Sequence, residues 1–113
     1  MRSIIPVLAL SSLLLAVAVS LSGRSPADQS AGGDTYKAKC AVCHGADGSG
    51  STPMGKRMNV RDLRSAEVQK QSDEDLANII RNGKPPMPGF AKSLDQAQIQ
   101  AVVAYIRSIG QKS

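Results

Sequence analysis

"CAVCHG", residues 40–45, sets two cysteines three positions apart and puts the only histidine of the chain directly after the second. A structural zinc site needs four ligands in a tetrahedron, usually as two separated pairs. Beyond its leading segment the chain offers only Cys40, Cys43 and His44, and the adjacency of the last two strains that geometry. A redox dithiol expects a βαβ setting, with its thiolate stabilised at a helix N-terminus. Here the cysteines fall towards the end of a short helical stretch, and no strand pattern precedes them. A plain Cys40–Cys43 disulfide closes too small a loop to stabilise much, and it leaves His44 without a role.

Covalent haem attachment uses all the chemistry in the motif. Residues three apart share one helix face, so each sulfur can form a thioether to a haem vinyl group while the next residue turns its imidazole to the iron. Iron held by His44 then needs a second protein ligand or an open position, and that choice separates electron carriers from oxygen-binding or catalytic haems. The candidates for a second ligand are Met54, Met58, Met87 and, more remotely, a lysine. Pro85, Pro86 and Pro88 fix φ around Met87 and remove three backbone donors, which predicts a stiff, non-helical segment that holds a thioether at small entropic cost. Met54 and Met58 sit in a softer stretch and read as flexible core filler.

The composition agrees with a cofactor at the centre. The 113 residues leave room for one domain of fewer than about 90 residues after the leader, a size at which a metal, disulfide or cofactor commonly supplements the core. One Phe, two Tyr and no Trp leave the usual bulky core filling missing, a volume that a large flat cofactor would take. The net charge of +5 falls to +3 once Arg2 and Arg24 are set aside. Lys37, Lys39, Lys56, Arg57 and Lys92 offer a docking patch for an acidic partner or, equally, a solvated face. The basic residues are dispersed among acids with no aromatic platform between them, which argues against nucleic acid as a partner.

Met1 and Arg2 precede an apolar run from Val7 to Val19 of signal-peptide length, and small residues up to Ala27 offer cleavage points. We read residues 1–27 as an export signal and the start of a linker, with residues 28–113 as the functional domain. The competing reading is an uncleaved anchor over Ile4 to Leu21, the one route to a membrane association. Either way the domain works outside the cytoplasm, and a bacterial periplasm is the expected location. Ser22 to Gly33 reads as a flexible lead-in.

Four helices are predicted beyond it, over about Asp34–Cys43, Asp62–Lys70, from an N-cap at Ser72 to Asn82-Gly83, and from an Asp95/Gln98 capping box to a stop at Gly110. Leu76, Ile79 and Ile80 form the buried stripe of the third; Ile99, Val102, Val103, Ile106 and Ile109 form that of the fourth. The Gly-rich stretch from Gly45 to Arg61 and the segment "GKPPMPGF" read as loops long enough to wrap an object. The fold class is all-α.

Three motifs in order, "GGDTYKAKCAVCHGADGSG", "IIRNGKPPMPGF" and "LDQAQIQAVVAYIRS", resemble the class I c-type cytochromes over essentially all of Gly33 to Ser108. The resemblance is nearest to the small single-haem carriers of bacterial periplasm and photosynthetic lumens. It implies a cytochrome c fold of some three to five helices around one covalently bound haem c, with the N- and C-terminal helices crossing. It also implies thioethers on Cys40 and Cys43, iron ligation by His44 Nε2 and the Met87 sulfur, and a Pro53 carbonyl accepting from His44 Nδ1. Gly33 and Tyr36 match the positions where the terminal helices cross against Tyr105, and Tyr36 stands where the family often has phenylalanine, so its hydroxyl needs a partner.

The expected function is one-electron transfer between extracytoplasmic redox proteins, by a carrier rather than an enzyme. The alternatives are a haem subunit or module of a larger oxidase or dehydrogenase, and an open-site haem sensor.

Overall fold

The computed structural model describes residues 26–112 together with Ala18. The remainder of the expected leader and anchor region lies outside the described residues. Six helices follow in order: α1 Pro26–Lys39, α2 Ala41–His44, α3 Pro53–Met58, α4 Ala66–Gln69, α5 Asp73–Asn82 and α6 Gln96–Gly110. Among the described residues there is no strand, only an isolated antiparallel bridge between Lys84 and Met87. The class is all-α as expected, with six helices among the described residues where the family resemblance implied three to five. No described helix is long and apolar enough to cross a membrane.

The first helix departs most from expectation. It begins at Pro26, not at Asp34, so the last two thirds of the anticipated flexible lead-in are helical and the helix starts ahead of the expected domain boundary. The cause is tertiary. Gly32, Gly33 and Tyr36 face α6, and the absence of side chains at the glycines brings the two backbones together. A Cβ on Gly32 would lie 2.0 Å from the Ala101 carbonyl oxygen, and one on Gly33 would lie 3.1 Å from the Tyr105 ring. Gly33 therefore meets Tyr105 as the family resemblance implied, while the closest backbone approach belongs to its neighbour. The helix also ends sooner than expected: Cys40 is a turn residue, and the predicted single helix into Cys43 is broken there into α1 and α2.

Thr52 and Pro53 open α3 inside a stretch expected to be all loop. Thr52 caps it by accepting from Gly55 N at 2.9 Å, and proline suits the first helical position because its missing N–H is not needed there. The helix expected over Asp62–Lys70 shrinks to α4. The Asp62 carboxylate takes both the Arg64 backbone N–H and its guanidinium, a local turn that competes with helix until Ser65 caps at Val68 N.

The last two helices match their signals closely. Ser72 accepts from Asp75 N at 3.0 Å, and three acidic residues fill the first turn of α5. Leu76, Ala77 and Ile80 are its buried residues; Ile79 is only half-buried. The Asp95/Gln98 capping box forms in both directions, at 2.8 and 2.9 Å. Helix α6 ends at Gly110, as expected. That glycine is the last helical residue, and its bare Cα makes room for Gln69, whose Nε2 donates to the carbonyls of Leu63 and Ile106. Arg107 adds a second tie, reaching Asp73 Oδ1 at 2.9 Å and the carbonyls of Gln69 and Gln71.

Tyr36, Ile99, Val102 and Val103 form the fully buried centre, joined by Val68, Leu76, Ala77, Ile80, Leu94, Ile106 and Ile109. Losing the α5 cap by Ser72→Ala is expected to cost about 1 kcal/mol, a fall of roughly 4–8 °C in Tm measurable by thermal unfolding.

Candidate functional site

Helix α2 is a single turn, Ala41–His44, and consists almost entirely of the motif. Its backbone is held at both ends. Cys40 N donates to Tyr36 O at 2.8 Å, continuing α1 into the turn, and His44 N donates to Cys40 O at 2.9 Å. Beyond it Gly45 takes φ of +81°, a conformation that disfavours other residues, and donates to Ala41 O at 2.8 Å. The Tyr36 hydroxyl donates to the Gly45 carbonyl at 2.7 Å, the partner the sequence left unnamed. Burial, more than its charged and polar neighbours, pushes the Tyr36 phenol well above its ordinary pKa, so the hydroxyl stays protonated as a donor.

From the other side, α3 packs onto α2. Thr52 Oγ1 lies 2.9 Å from Val42 O and 3.0 Å from Cys43 O. A Cβ on Gly55 would lie 2.3 Å from Cys43 O. Thr52 and Gly55 went unnoticed in the sequence. A Thr-Pro pair opening a helix is the signal that points to them.

Both cysteines are half-buried, and no disulfide joins them. Burial pushes the Cys40 thiol up to about 11, with the nearby Lys39 ammonium only partly offsetting it. A reactive dithiol needs the reverse, a thiol held low in an electropositive setting, so the local chemistry disfavours the redox-dithiol reading. No three of the His, Cys, Asp and Glu side chains among the described residues converge as a metal-holding group.

Burial also lowers the pKa of His44 from its ordinary value, opposed in part by the Arg61 carbonyl, so the imidazole is neutral at pH 7, the form that ligates metal. Its Nδ1 is buried without a hydrogen-bond partner. The bond from Nδ1 to the Pro53 carbonyl is thus not made in this structure. Pro53 is the first residue of α3.

Met87 belongs to the "GKPPMPGF" segment, which is non-helical and closely tied. Lys84 N donates to Met87 O at 3.1 Å and Met87 N to Lys84 O at 2.8 Å, around a cis Pro85–Pro86 bond. Phe90 N and Ala91 N return to the Ile80 and Arg81 carbonyls at the end of α5, at 2.9 and 3.1 Å. Met87 is half-buried and packs on the same core as Cys40, Ala41, Leu63 and Phe90. The segment therefore packs its thioether on the same core as Cys40 and Ala41, and the donor types present, two cysteine sulfurs, one imidazole and one thioether, fit a c-type haem. Met58 is half-buried and Met54 is exposed at the start of α3.

The family described as cytochrome c oxidase, cbb3-type, subunit III matches residues 27–106. Cytochrome c6 of Bryopsis maxima is 35% identical over 79 residues, spanning 70% of this chain and 89% of that protein. Cytochrome c6 of Leptolyngbya boryana is 35% identical over 76% of this chain and 98% of its own length. The cytochrome c subunit of the quinone alcohol dehydrogenase of Gluconacetobacter polyoxogenes is also 35% identical, but the match spans only 18% of that subunit. Among solved structures, the KustC0563 c-type cytochrome aligns over 69% of this chain and 95% of its own, with a TM-score of 0.64 and 34% identity. The chain belongs to the c-type cytochromes, as a small class I member. Electron transfer through haem c is the function that this membership supports.

Proposed function

We propose that the protein carries one haem c, attached through thioethers on Cys40 and Cys43 and ligated by His44 Nε2 and the Met87 sulfur, and that it shuttles single electrons between extracytoplasmic redox proteins. The observation that carries this is the one-turn helix that holds His44 beside two half-buried cysteines outside any disulfide, with Cys40 and Ala41 packed on the same core as Met87. Haem supplies the one-electron chemistry, iron alternating between its ferrous and ferric states, and a sulfur ligand favours the ferrous one.

The chain's part is to fix and shield. The α1 turn and α3 hold the motif backbone from two sides, and the tied Lys84–Met87 turn limits how far the thioether can swing. A site whose ligands stay in place changes little between oxidation states. Pro53 remains the family's acceptor for the unpartnered Nδ1, a bond that would set the imidazole tautomer.

Partners reach the motif through a surface that is apolar at its centre and cationic around it. Val42, 66% exposed between the two cysteines, and Met54, 39% exposed, stand on the abutting helices α2 and α3. Each has an exposed cation three residues away, Lys39 and Arg57. Such a face suits brief docking by acidic redox proteins.

The test is an absorption spectrum of the chain expressed with a c-type maturation system and exported. The expected result is a low-spin, thioether-linked haem whose ferric form shows the weak far-red band of a sulfur ligand. A colourless product with two free thiols would overturn the reading. The cbb3 family match and the dehydrogenase relatives favour a second reading, a haem module acting inside a larger complex. Purification as a single chain supports the carrier; stable co-purification with an oxidase or dehydrogenase supports the module.

A further inference from the structure

We infer that Tyr36 is a positioning residue for His44, a strut that spans the haem-binding pentapeptide and couples its geometry to the crossing of α1 and α6. This inference rests on the proposed haem ligation.

Tyr36 touches both ends of the motif. Its main-chain carbonyl accepts from Cys40 N at 2.8 Å, and its side-chain hydroxyl donates to the carbonyl of Gly45, immediately after His44, at 2.7 Å. The Gly45 peptide is thereby fixed on two sides, since its own N–H donates to Ala41 O. The strut is itself immobile. Tyr36 is wholly buried, and its ring lies against that of Tyr105 on α6, centroids 5.0 Å apart and planes inclined by 46°. Gly33 leaves the space in which the Tyr105 ring sits.

A phenylalanine at position 36 fills the same volume and keeps the aromatic pair, so packing alone does not call for the hydroxyl. What the hydroxyl adds is a second and shorter donor to the Gly45 carbonyl, which also accepts from Gly48 N at 3.1 Å, and of the two it is the one that ties this peptide to α1. Without that bond, the peptides after His44 keep only ties within α2 and the loop that follows, Gly45 N to Ala41 O, Gly48 N to Gly45 O and Gly50 N to His44 O, and lose the one side-chain tie from the α1–α6 crossing to the residue after His44.

The experiment compares haem-loaded Tyr36→Phe and Tyr105→Phe proteins with the wild type, by amide hydrogen exchange at His44 and Gly45 and by reduction potential. Tyr36→Phe is expected to remain coloured, to exchange about fivefold faster at those two amides, as expected for losing one hydrogen bond, and to shift in potential. Tyr105→Phe removes a hydroxyl from the same ring pair and is expected to move neither. The inference falls if Tyr36→Phe tracks the wild type in potential, or if Tyr105→Phe changes both readouts equally, which would assign the effect to the ring pair. It falls too if Tyr36→Phe fails to fold, since the hydroxyl would then be a stability element only. A colourless wild type would sink the haem reading itself, an outcome distinct from a coloured wild type that Tyr36→Phe matches.

Discussion

Met87→Ala is expected to leave the protein coloured, with the thioethers on Cys40 and Cys43 intact, while abolishing the far-red ferric band and opening the reduced iron to carbon monoxide. The two halves of that result separate because the proposed attachment and distal ligation come from different parts of the chain. The motif is held by α1 and α3, and neither tie passes through residues 84–90. Removing the sulfur also removes the ligand that favours ferrous iron, so the potential is expected to fall by on the order of 0.1 V, a modest part of the ~0.8 V that axial ligands span. Folding should suffer less than the chemistry, because Met87 is only half-buried.

Met58→Ala is the matching control, since a second half-buried methionine tests whether any thioether will do. It is expected to retain the band and to exclude carbon monoxide. If Met87→Ala keeps both properties and Met58→Ala loses them, the distal ligand is Met58. If wild type already binds carbon monoxide freely, the open-site sensor replaces the carrier.

The parts of the fold legible in the sequence were those written in side chains. Helix α6 carries a capping box and five buried aliphatics at helical spacing, and α5 carries a serine cap and an acidic first turn. Their boundaries followed, and the glycine that ends α6 also leaves room for Gln69 against it. Helix α1 was half hidden because its buried face is made of what is missing. Glycine at two successive positions argues against helix in isolation, by about 1 kcal/mol each, and only the closeness of α6 reverses that sign. Helix α3 was hidden for a similar reason. Its one buried residue is Gly55, so no apolar period marks it.

The candidate site divides the same way. The proposed ligands Cys40, Cys43, His44 and Met87 stand out in the sequence because their chemistry is unusual and their spacing or bracing is local. The Tyr36–Gly45 and Thr52–Cys43 bonds were not, since each joins residues nine apart through a backbone carbonyl that has no residue-specific signature.

Gly32→Ala is expected to be among the most damaging single-methyl changes in the described domain, and it tests whether the crossing of α1 and α6 organises the fold. Two effects oppose each other. Alanine raises intrinsic helix propensity by about 1 kcal/mol over glycine. Against this, the new Cβ would stand 2.0 Å from the Ala101 oxygen and 2.5 Å from its carbonyl carbon, and these are backbone atoms of a packed helix that no rotamer change can move aside. Relief requires the helices to separate, which loosens the contacts around fully buried Tyr36 and Val102. Overpacking typically costs 1–3 kcal/mol, and a rigid obstacle belongs at or beyond the top of that range, so the net loss is about 2 kcal/mol or more.

Thermal unfolding should register a fall of roughly 10 °C, given about 4–8 °C per kcal/mol for a domain of this size. Gly33→Ala supplies the comparison one residue away. Its Cβ meets only the Tyr105 ring edge at 3.1 Å, and a ring that is partly exposed can tilt, so the propensity gain largely cancels the contact and Tm should stay within a few degrees. Should Gly33→Ala prove the more harmful of the two, the helices approach each other through the aromatic pair and not through the bare backbone at Gly32.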